Sequence, residues 1–305
     1  MGESGLMSKA EENPIWKPGT APVAVVMISL NEGHNMEAVL KNLSGWAQEV
    51  FLVDSYSADA TVDIALKHGV RVVQRGFRGF GDQWNFALTK LPISAPWTMK
   101  LDPDERITDE LKCEIETAIK ELSIGTYRVP IRLYFMGARL PSVLRLTRLW
   151  RSGTARFSDV KANEHAHCEG PEGVLTSEIM HLDSPDLDHW LTKQNRYTTA
   201  EAASQFEGRA LAMPPRLFGN ALERRMWLKR HFWKMPGRYA ILFLYHLVFI
   251  GAWRAGKVGW LWARLRTEVY RLWEYKRFEM ERLGRVPVKI PAHPGKPDAR
   301  VQQFD

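Results

Sequence analysis

Cysteine is scarce in this chain: Cys113 and Cys168 are the two among 305 residues. Two thiols supply no disulfide framework, so the fold must rest on packing, and a reducing compartment is expected. The first residues lack the basic, apolar, small-residue order of a secretory leader, which fits a chain kept in the cytoplasm. There is no internal repeat and no low-complexity tract. No Gly-x-Gly-x-x-Gly follows the first strand-like run, and no Gly-Lys-Ser/Thr loop occurs, which argues against dinucleotide oxidoreductases and P-loop enzymes. Long apolar runs are also missing. Tyr239 to Trp253 holds fifteen residues of nearly unbroken apolar character, short of the roughly 20 a spanning helix needs, and it encloses His246.

What is present is ample apolar material, 45% of residues, and a charge of +7 placed unevenly. Between Arg209 and Arg285 stand 17 Lys and Arg against 5 Asp and Glu, with six of the 12 tryptophans. The remainder carries 25 against 30. A mildly acidic body is thus joined to a basic, aromatic-rich C-terminal third.

In the body, strands alternate with helices. Pro22–Leu30, Glu49–Val53, Val70–Gln74 and Trp97–Leu101 are apolar runs of strand length, as expected for parallel strands buried on both faces. Helical spacing falls at Met36–Leu43, at Thr61–His68 and after Asp82. This alternation implies an α/β fold with a parallel doubly wound sheet whose strand ends share one edge. Four loops then meet at one crevice: Asn31/Glu32, Asp54/Asp59, Arg75–Gly81 and Asp102–Glu105. The last follows Trp97–Leu101 directly and sets three carboxylates within four residues around Pro103. Carboxylates so close repel unless a cation sits among them, and hard oxygens suit Mg²⁺ or Mn²⁺, which would also hold a substrate phosphate. The plainer alternative is a solvated turn leading to a helix start at Thr108. Carboxylates can also accept hydrogen bonds from a base N–H and ribose hydroxyls.

Read in order, Ser29–Asn35 (SLNEGHN), Val53–Thr61 (VDSYSADAT), Gly79–Leu88 (GFGDQWNFAL) and Leu101–Glu105 (LDPDE) resemble the nucleotide-sugar half of an inverting family 2 glycosyltransferase of GT-A fold. The likeness is to the branch typified by bacterial lipopolysaccharide-core glucosyltransferases. Tyr127-Arg128-Val129-Pro130, Arg148-Leu149-Trp150 and Ile179-Met180-His181 continue it, as do Lys193, Asn195, Arg196 and Tyr197. Asn163-Glu164-His165 departs from the branch's usual His-Glu order. The resemblance runs over about residues 22–285 and implies a GT-A catalytic domain at 21–182. Its nucleotide-sugar half would be 21–105 and its acceptor half 106–182.

The resemblance implies that Asp54 and Asp59 bind uracil or another base and its ribose. Asn31 and Glu32 would lie at the same pocket, and Arg75, Gln83 and Asn85 would line it. Asp102 and Asp104 would hold the metal and diphosphate, with Glu105 in support. Turn and N-cap duty before Thr61 is the plainer reading of Asp54 and Asp59, and a flexible turn that of Arg75–Gly81. Inversion needs a base to take the acceptor's proton, and Glu164 is the expected carboxylate, with His165 or His167 as alternatives. His181 would complete the metal shell or touch the diphosphate, unless it is simply structural. Arg148, among Arg145, Arg148 and Arg151, best fits the family element and would neutralise the leaving diphosphate.

The C-terminal third reads as helices at Asp186–Phe206, Asn220–Met235 and Val258–Arg282. Tryptophan and arginine beside an apolar surface suit an anionic membrane interface. Packing on the body or on a second subunit, as in a homo-oligomer, is the alternative. Residues 183–285 are thus expected to form an amphipathic membrane-surface region, residues 1–20 a loose lead-in, and residues 286–305 a loose tail. The expected whole is a metal-dependent transferase of a UDP-type sugar onto a glycolipid or polysaccharide acceptor, peripheral on the inner face of the cell membrane. A polyprenyl-phosphate glycosyltransferase and a non-catalytic membrane-surface protein are the competing readings. Nucleic acid is disfavoured as a partner by the fifteen-residue apolar run at Tyr239 to Trp253.

Overall fold

The structure, a computed structural model, describes residues 16–158, 166–208, 216–219, 223–224, 227, 231–287 and 295–304. The chain divides into two compact units: Met1–Pro130, Arg145–Ile179 and His293–Asp305 form one, Ile131–Leu144 and Met180–Ala292 the other.

In the first unit, β1 (Ala21–Ser29), β2 (Ala47–Asp54), β3 (Arg71–Arg75) and β4 (Trp97–Lys100) are separated by α1 (Gly33–Leu43), α2 (Thr61–Lys67) and α3 (Phe80–Lys90). These strands lie parallel in the order β3-β2-β1-β4. Val23 to Met27 and Val50 to Val53 are buried without alternation, as a sheet covered on both faces requires. Next come β5 (Glu105–Ile107), α4 (Asp109–Ala118), β6 (Thr126–Phe135) and β7 (Ala138–Arg151). The hairpin β8 (Ala155–Phe157) and β9 (Ala166–Cys168) follows, then β10 (Glu172–Val174) and β11 (Ile179–Leu182). β7 joins β4 antiparallel, Thr98 facing Trp150 and Met99 facing Leu149. The sheet is therefore mixed, with its β3-β2-β1-β4 half parallel. Trp84, Trp150, Phe51 and Phe157 fill the core beneath it. The Thr108 hydroxyl caps α4 by accepting from the Leu111 N–H at 3.2 Å.

The tail differs from expectation. Residues read as loose carry β12 (Gln302–Phe304), which adds to the sheet parallel to β3. Three residues are too few for a periodic signal, and the partner strand lies far away in sequence.

The second unit holds α5 (Leu187–Phe206), α6 (Arg238–Leu244) and α7 (Gly256–Leu283). Asp186 caps α5, its carboxylate accepting from the His189 N–H at 2.8 Å. Trp190, Trp262 and Phe135 share one small core, and Ala202, Ala203, Trp273 and Met280 another. Gly259 is required by close approach, because a Cβ there would lie 1.7 Å from the Ala252 carbonyl oxygen. The expected helix at Asn220–Met235 falls mostly outside the described residues. Phe232–Lys234 form a short 3₁₀ turn, and Tyr245–Phe249 a π-helical turn beyond α6. Among the described residues no single helix is long and apolar enough to cross a membrane. A pair bent by 67°, Arg238–Phe249 with Ala252–Leu283, has the length and composition to do so.

A buried carboxylate fixes the entry to β4. Glu49 on β2 accepts from the Ser94 N–H (2.9 Å), the Ser94 hydroxyl (2.8 Å) and the Ala95 N–H (3.0 Å). Burial alone would raise its pKa, but these bonds outweigh burial and hold it below the usual range. Its contribution is therefore complete above the ordinary Glu value of about 4.3 and is lost as pH falls through the folded value. Glu49→Ala strands three donors and should cost about 2–4 kcal/mol in urea denaturation at pH 7. The gap from wild type should narrow below about pH 4.

Candidate active site

The parallel register brings the carboxyl ends of four strands to one edge. Ser29 pairs with Asp54, Asp54 with Gln74, and Val26 with Lys100, while the Leu101 N–H bonds the Val26 carbonyl at 3.2 Å. Asp54 and Asp102 thus end the two strands that flank β1, about 10 Å apart at the usual strand spacing. All four expected loops emerge on this edge.

The first two loops are laced together by the polar residues that mark them. The Asn31 N–H donates to the Ser57 hydroxyl (2.8 Å), and the Asn31 side-chain Oδ1 accepts from the Ala58 N–H (2.7 Å). The Glu32 N–H donates to the Thr61 hydroxyl (2.8 Å), and the Gly33 N–H to Asp59 Oδ2 (2.9 Å). Asn31 and Tyr56 both sit in left-handed backbone, φ 60° and 62°. Such backbone persists for a non-glycine residue only where neighbours over-determine it, and it gathers at ligand sites. Asp59 and Glu32 keep solvent access at this rim.

Asp54 behaves differently from expectation. It is fully buried, and its carboxylate accepts from the Ser29 hydroxyl (3.0 Å), the Ser57 N–H (2.9 Å), the Ser57 hydroxyl and Gln74 Nε2 (2.8 Å). With four donors satisfied inside the protein, Asp54 shapes the turn that presents Tyr56 and Ser57.

The expected lining residues of the third loop also turn inward. Arg75, 5% exposed, bonds Asp82 and Gln83 Oε1 (3.1 Å) and lies 4.9 Å from the Phe86 ring. Gln83 is fully buried and donates to the Ser55 hydroxyl at 3.3 Å. Asn85 clamps the backbone of Phe157, donating to its carbonyl (3.0 Å) and accepting from its N–H (2.8 Å). That is the pattern of a strand neighbour reproduced by a side-chain amide. These three residues form a framework beneath the loop.

The fourth loop holds the acid cluster. Its turn is closed reciprocally: the Asp102 N–H donates to Glu105 Oε2, and the Glu105 N–H to the Asp102 carbonyl, both at 2.9 Å. The β4–β7 register sets Arg148 opposite the end of β4. Its Nη2 donates to Glu105 Oε1 (2.6 Å) and Asp102 Oδ2 (3.1 Å). Arg148, 4% exposed, is therefore a holder of these carboxylates. Asp102 Oδ1 has no hydrogen bond among the described residues, and Asp104 lies near enough to oppose its ionisation. Burial also opposes that ionisation, but Arg148 and Lys100 outweigh both and hold the carboxyl below the usual range. Lys100 lies 4.6 Å from the Trp84 ring centre.

Arg106, not singled out in the sequence, ties the acid turn to the first loop. Its guanidinium donates to the carbonyls of Pro103 (2.6 Å), Glu105 (2.7 Å) and Asn35 (3.2 Å). Asp104 and Glu32 act on it electrostatically, while burial pulls its pKa down. An arginine following an acidic run carries no signal of this role, because its acceptors are backbone carbonyls.

Asn163, Glu164 and His165 lie outside the described residues. His167 stands exposed on β9 opposite Arg156. His181 is half-buried on β11 and belongs to the second unit. Arg145 is exposed, and Arg151 lies 4.8 Å from the Trp97 ring centre. Among the described residues no three His, Cys, Asp or Glu side chains gather as a metal cluster.

Arg148→Ala leaves buried Glu105 and half-buried Asp102 without their cation and should cost about 3–5 kcal/mol. Asp102 has a depressed folded pKa, so its part of this stability exists above about 3.9 and fades as pH falls further. Thermal melts of both proteins at pH 7 and pH 3.5 should show the difference shrink.

Three comparisons bear on this edge. Residues 24–163 match the model of glycosyl transferase family 2. A lipopolysaccharide core biosynthesis glycosyltransferase, LpsC of Rhizobium meliloti, is 30% identical over 200 residues, 61% of this chain and 72% of that protein. An uncharacterized glycosyltransferase of Rickettsia conorii is 25% identical over 199 residues, 60% of this chain and 70% of its own length. Staphylococcus aureus TarS residues 1–349, solved with UDP-GlcNAc, superposes with a TM-score of 0.43 at 14% identity. That match covers 86% of this chain and 92% of TarS, a likeness too low to add weight. On the family match and the Rhizobium relative, the chain belongs to glycosyl transferase family 2 and is a glycosyltransferase.

Proposed function

We propose that the chain moves a sugar, with inversion, from a uridine diphosphate sugar to a lipid-linked or lipopolysaccharide acceptor on the inner face of the cell membrane. The observation that carries this reading is the acid turn: Asp102, ionised and with Oδ1 open, stands beside Asp104 at the end of β4. Family membership and the printed role of the Rhizobium relative support the acceptor class.

The residues present fit Mg²⁺ or Mn²⁺. Mg²⁺ is usually held by one or two carboxylates together with substrate phosphates, so the absence of a third described side-chain ligand is no obstacle. Asp102 and Asp104 would hold the ion, which when bound would offset diphosphate charge and improve the leaving group. Arg148 and Lys100 keep Asp102 ionised for this duty, and Arg106 fixes the turn that aims it. Asp59, Glu32 and the strained Asn31 and Tyr56 would form the rim for base and ribose. Glu164 would take the acceptor hydroxyl's proton.

Membrane association rests on the second unit. Ile241, Leu244, Val248, Phe249, Trp253 and Trp260 are 46–82% exposed on consecutive segments, with Arg254 and Lys257 exposed among them. Apolar side chains beside cations suit an anionic lipid surface.

A hydrolysis and transfer screen of nucleotide sugars with Mg²⁺ and Mn²⁺ should give metal-dependent turnover with a UDP-sugar. Asp104→Ala should lower it at least about hundredfold without unfolding the protein. Retained turnover in that variant would remove the metal assignment. Glu164→Gln should lose rate while keeping donor affinity, and an unimpaired rate would discard it as base. Phe249→Asp combined with Trp253→Asp should abolish co-flotation with anionic liposomes yet spare donor hydrolysis.

A further inference from the structure

We infer that residues 295–304 act as a strap that pre-organises the nucleotide side of the site, with Gln74 as the positioning residue between strap and pocket. The inference rests on the donor-site reading above. The strap lies outside the matched segment 24–163 and returns to the same compact unit as the nucleotide-side loops.

Three contacts define it. The Gly295 N–H donates to the Tyr56 carbonyl at 2.6 Å, holding one end of the left-handed residue in the second loop. A Cβ at Gly295 would lie 2.3 Å from the Ser57 carbonyl oxygen and 2.8 Å from the carbon bonded to it, so no side chain fits there. The Asp298 N–H (2.7 Å) and the Gln303 amide (3.0 Å) both donate to Gln74 Oε1. A backbone N–H can only donate, so Gln74 must turn its oxygen to the strap and its NH₂ to Asp54, which it reaches at 2.8 Å. Asp54 in turn holds Ser57 through both backbone and hydroxyl.

The strap itself is anchored at three places. β12 pairs with β3 from Gln302 opposite Val73 to Phe304 opposite Arg75. The Phe304 ring meets Phe86 edge-on at 4.9 Å, and Arg300 bonds Asp63 and Asp298. Gln74 thus transmits the strap's position to a carboxylate that never meets solvent, and Gly295 sets the Tyr56–Ala58 turn directly. Left-handed backbone at a tyrosine relaxes unless it is held from several sides, and the strap supplies one of those holds.

The test uses the full chain, UDP with Mn²⁺ as the probe in calorimetric titration, and thermal melting alongside. Gly295→Ala should weaken UDP binding about tenfold and Gln303→Ala several-fold, the scale of one neutral hydrogen bond. In a transfer assay KM for the nucleotide sugar should rise while kcat holds. Gln302→Ala, exposed on the same strand and outside the Gln74 contacts, is the control and should bind UDP as wild type does. A merely structural strap would lower melting temperature in all three variants and leave UDP affinity unchanged well below the melt, and that result overturns the inference. Should Gly295→Ala fail to fold, Gln303→Ala decides alone. If wild type binds neither UDP nor GDP, the donor reading falls first and the strap with it.

Discussion

One buried guanidinium lets two carboxylates share the end of β4. Arg148 reaches Asp102 and Glu105 because β7 runs antiparallel to β4 in a register that brings the charges at the two strands' ends level. Without that cation the turn would face like-charge repulsion in a poorly solvated place. With it, Asp102 stays ionised, and its Oδ1 has no hydrogen bond among the described residues. The geometry is cheap to specify, because a single strand pairing fixes both position and charge state.

The same economy governs the opposite side of β1. Asn31, Asp59, Ser57 and Thr61 have the residue types of a binding loop, and most of their polar groups hold loop to loop. Two loops that each carry a left-handed non-glycine residue have to be restrained from several directions, and short polar side chains are well suited to that work. Binding capacity at such an edge belongs to the shape the lattice maintains, more than to any one of its carboxylates.

Much of this was legible in the residues. The apolar run at 22–30 reads as a strand and is one within a residue at each end, as is the run at 97–101, while the run at 49–53 falls inside a strand that starts two residues earlier. Their parallel order follows from the helices between them, so the meeting of four loops at one edge also follows. What the residues do not display is where each polar side chain turns. Asp54, Arg75, Gln83 and Asn85 stand in the expected loops and helix but face inward, because a residue's type says which bonds it can make and not which neighbour will be nearest. Arg148 matches its motif, and its bonds to Asp102 and Glu105 could not be read from that motif. Arg106 escapes notice because its acceptors are main-chain carbonyls.

β12 gives a different lesson, about time. The strand completing the β3 edge is separated from its partner by more of the chain than any other pairing in the sheet, with the whole helical unit between. Loop closure over such a distance is slow, and an unpaired edge invites association with other chains. During synthesis the edge of β3 stays bare until residues 302–304 have been made, so this edge closes only after the helical segments between have emerged.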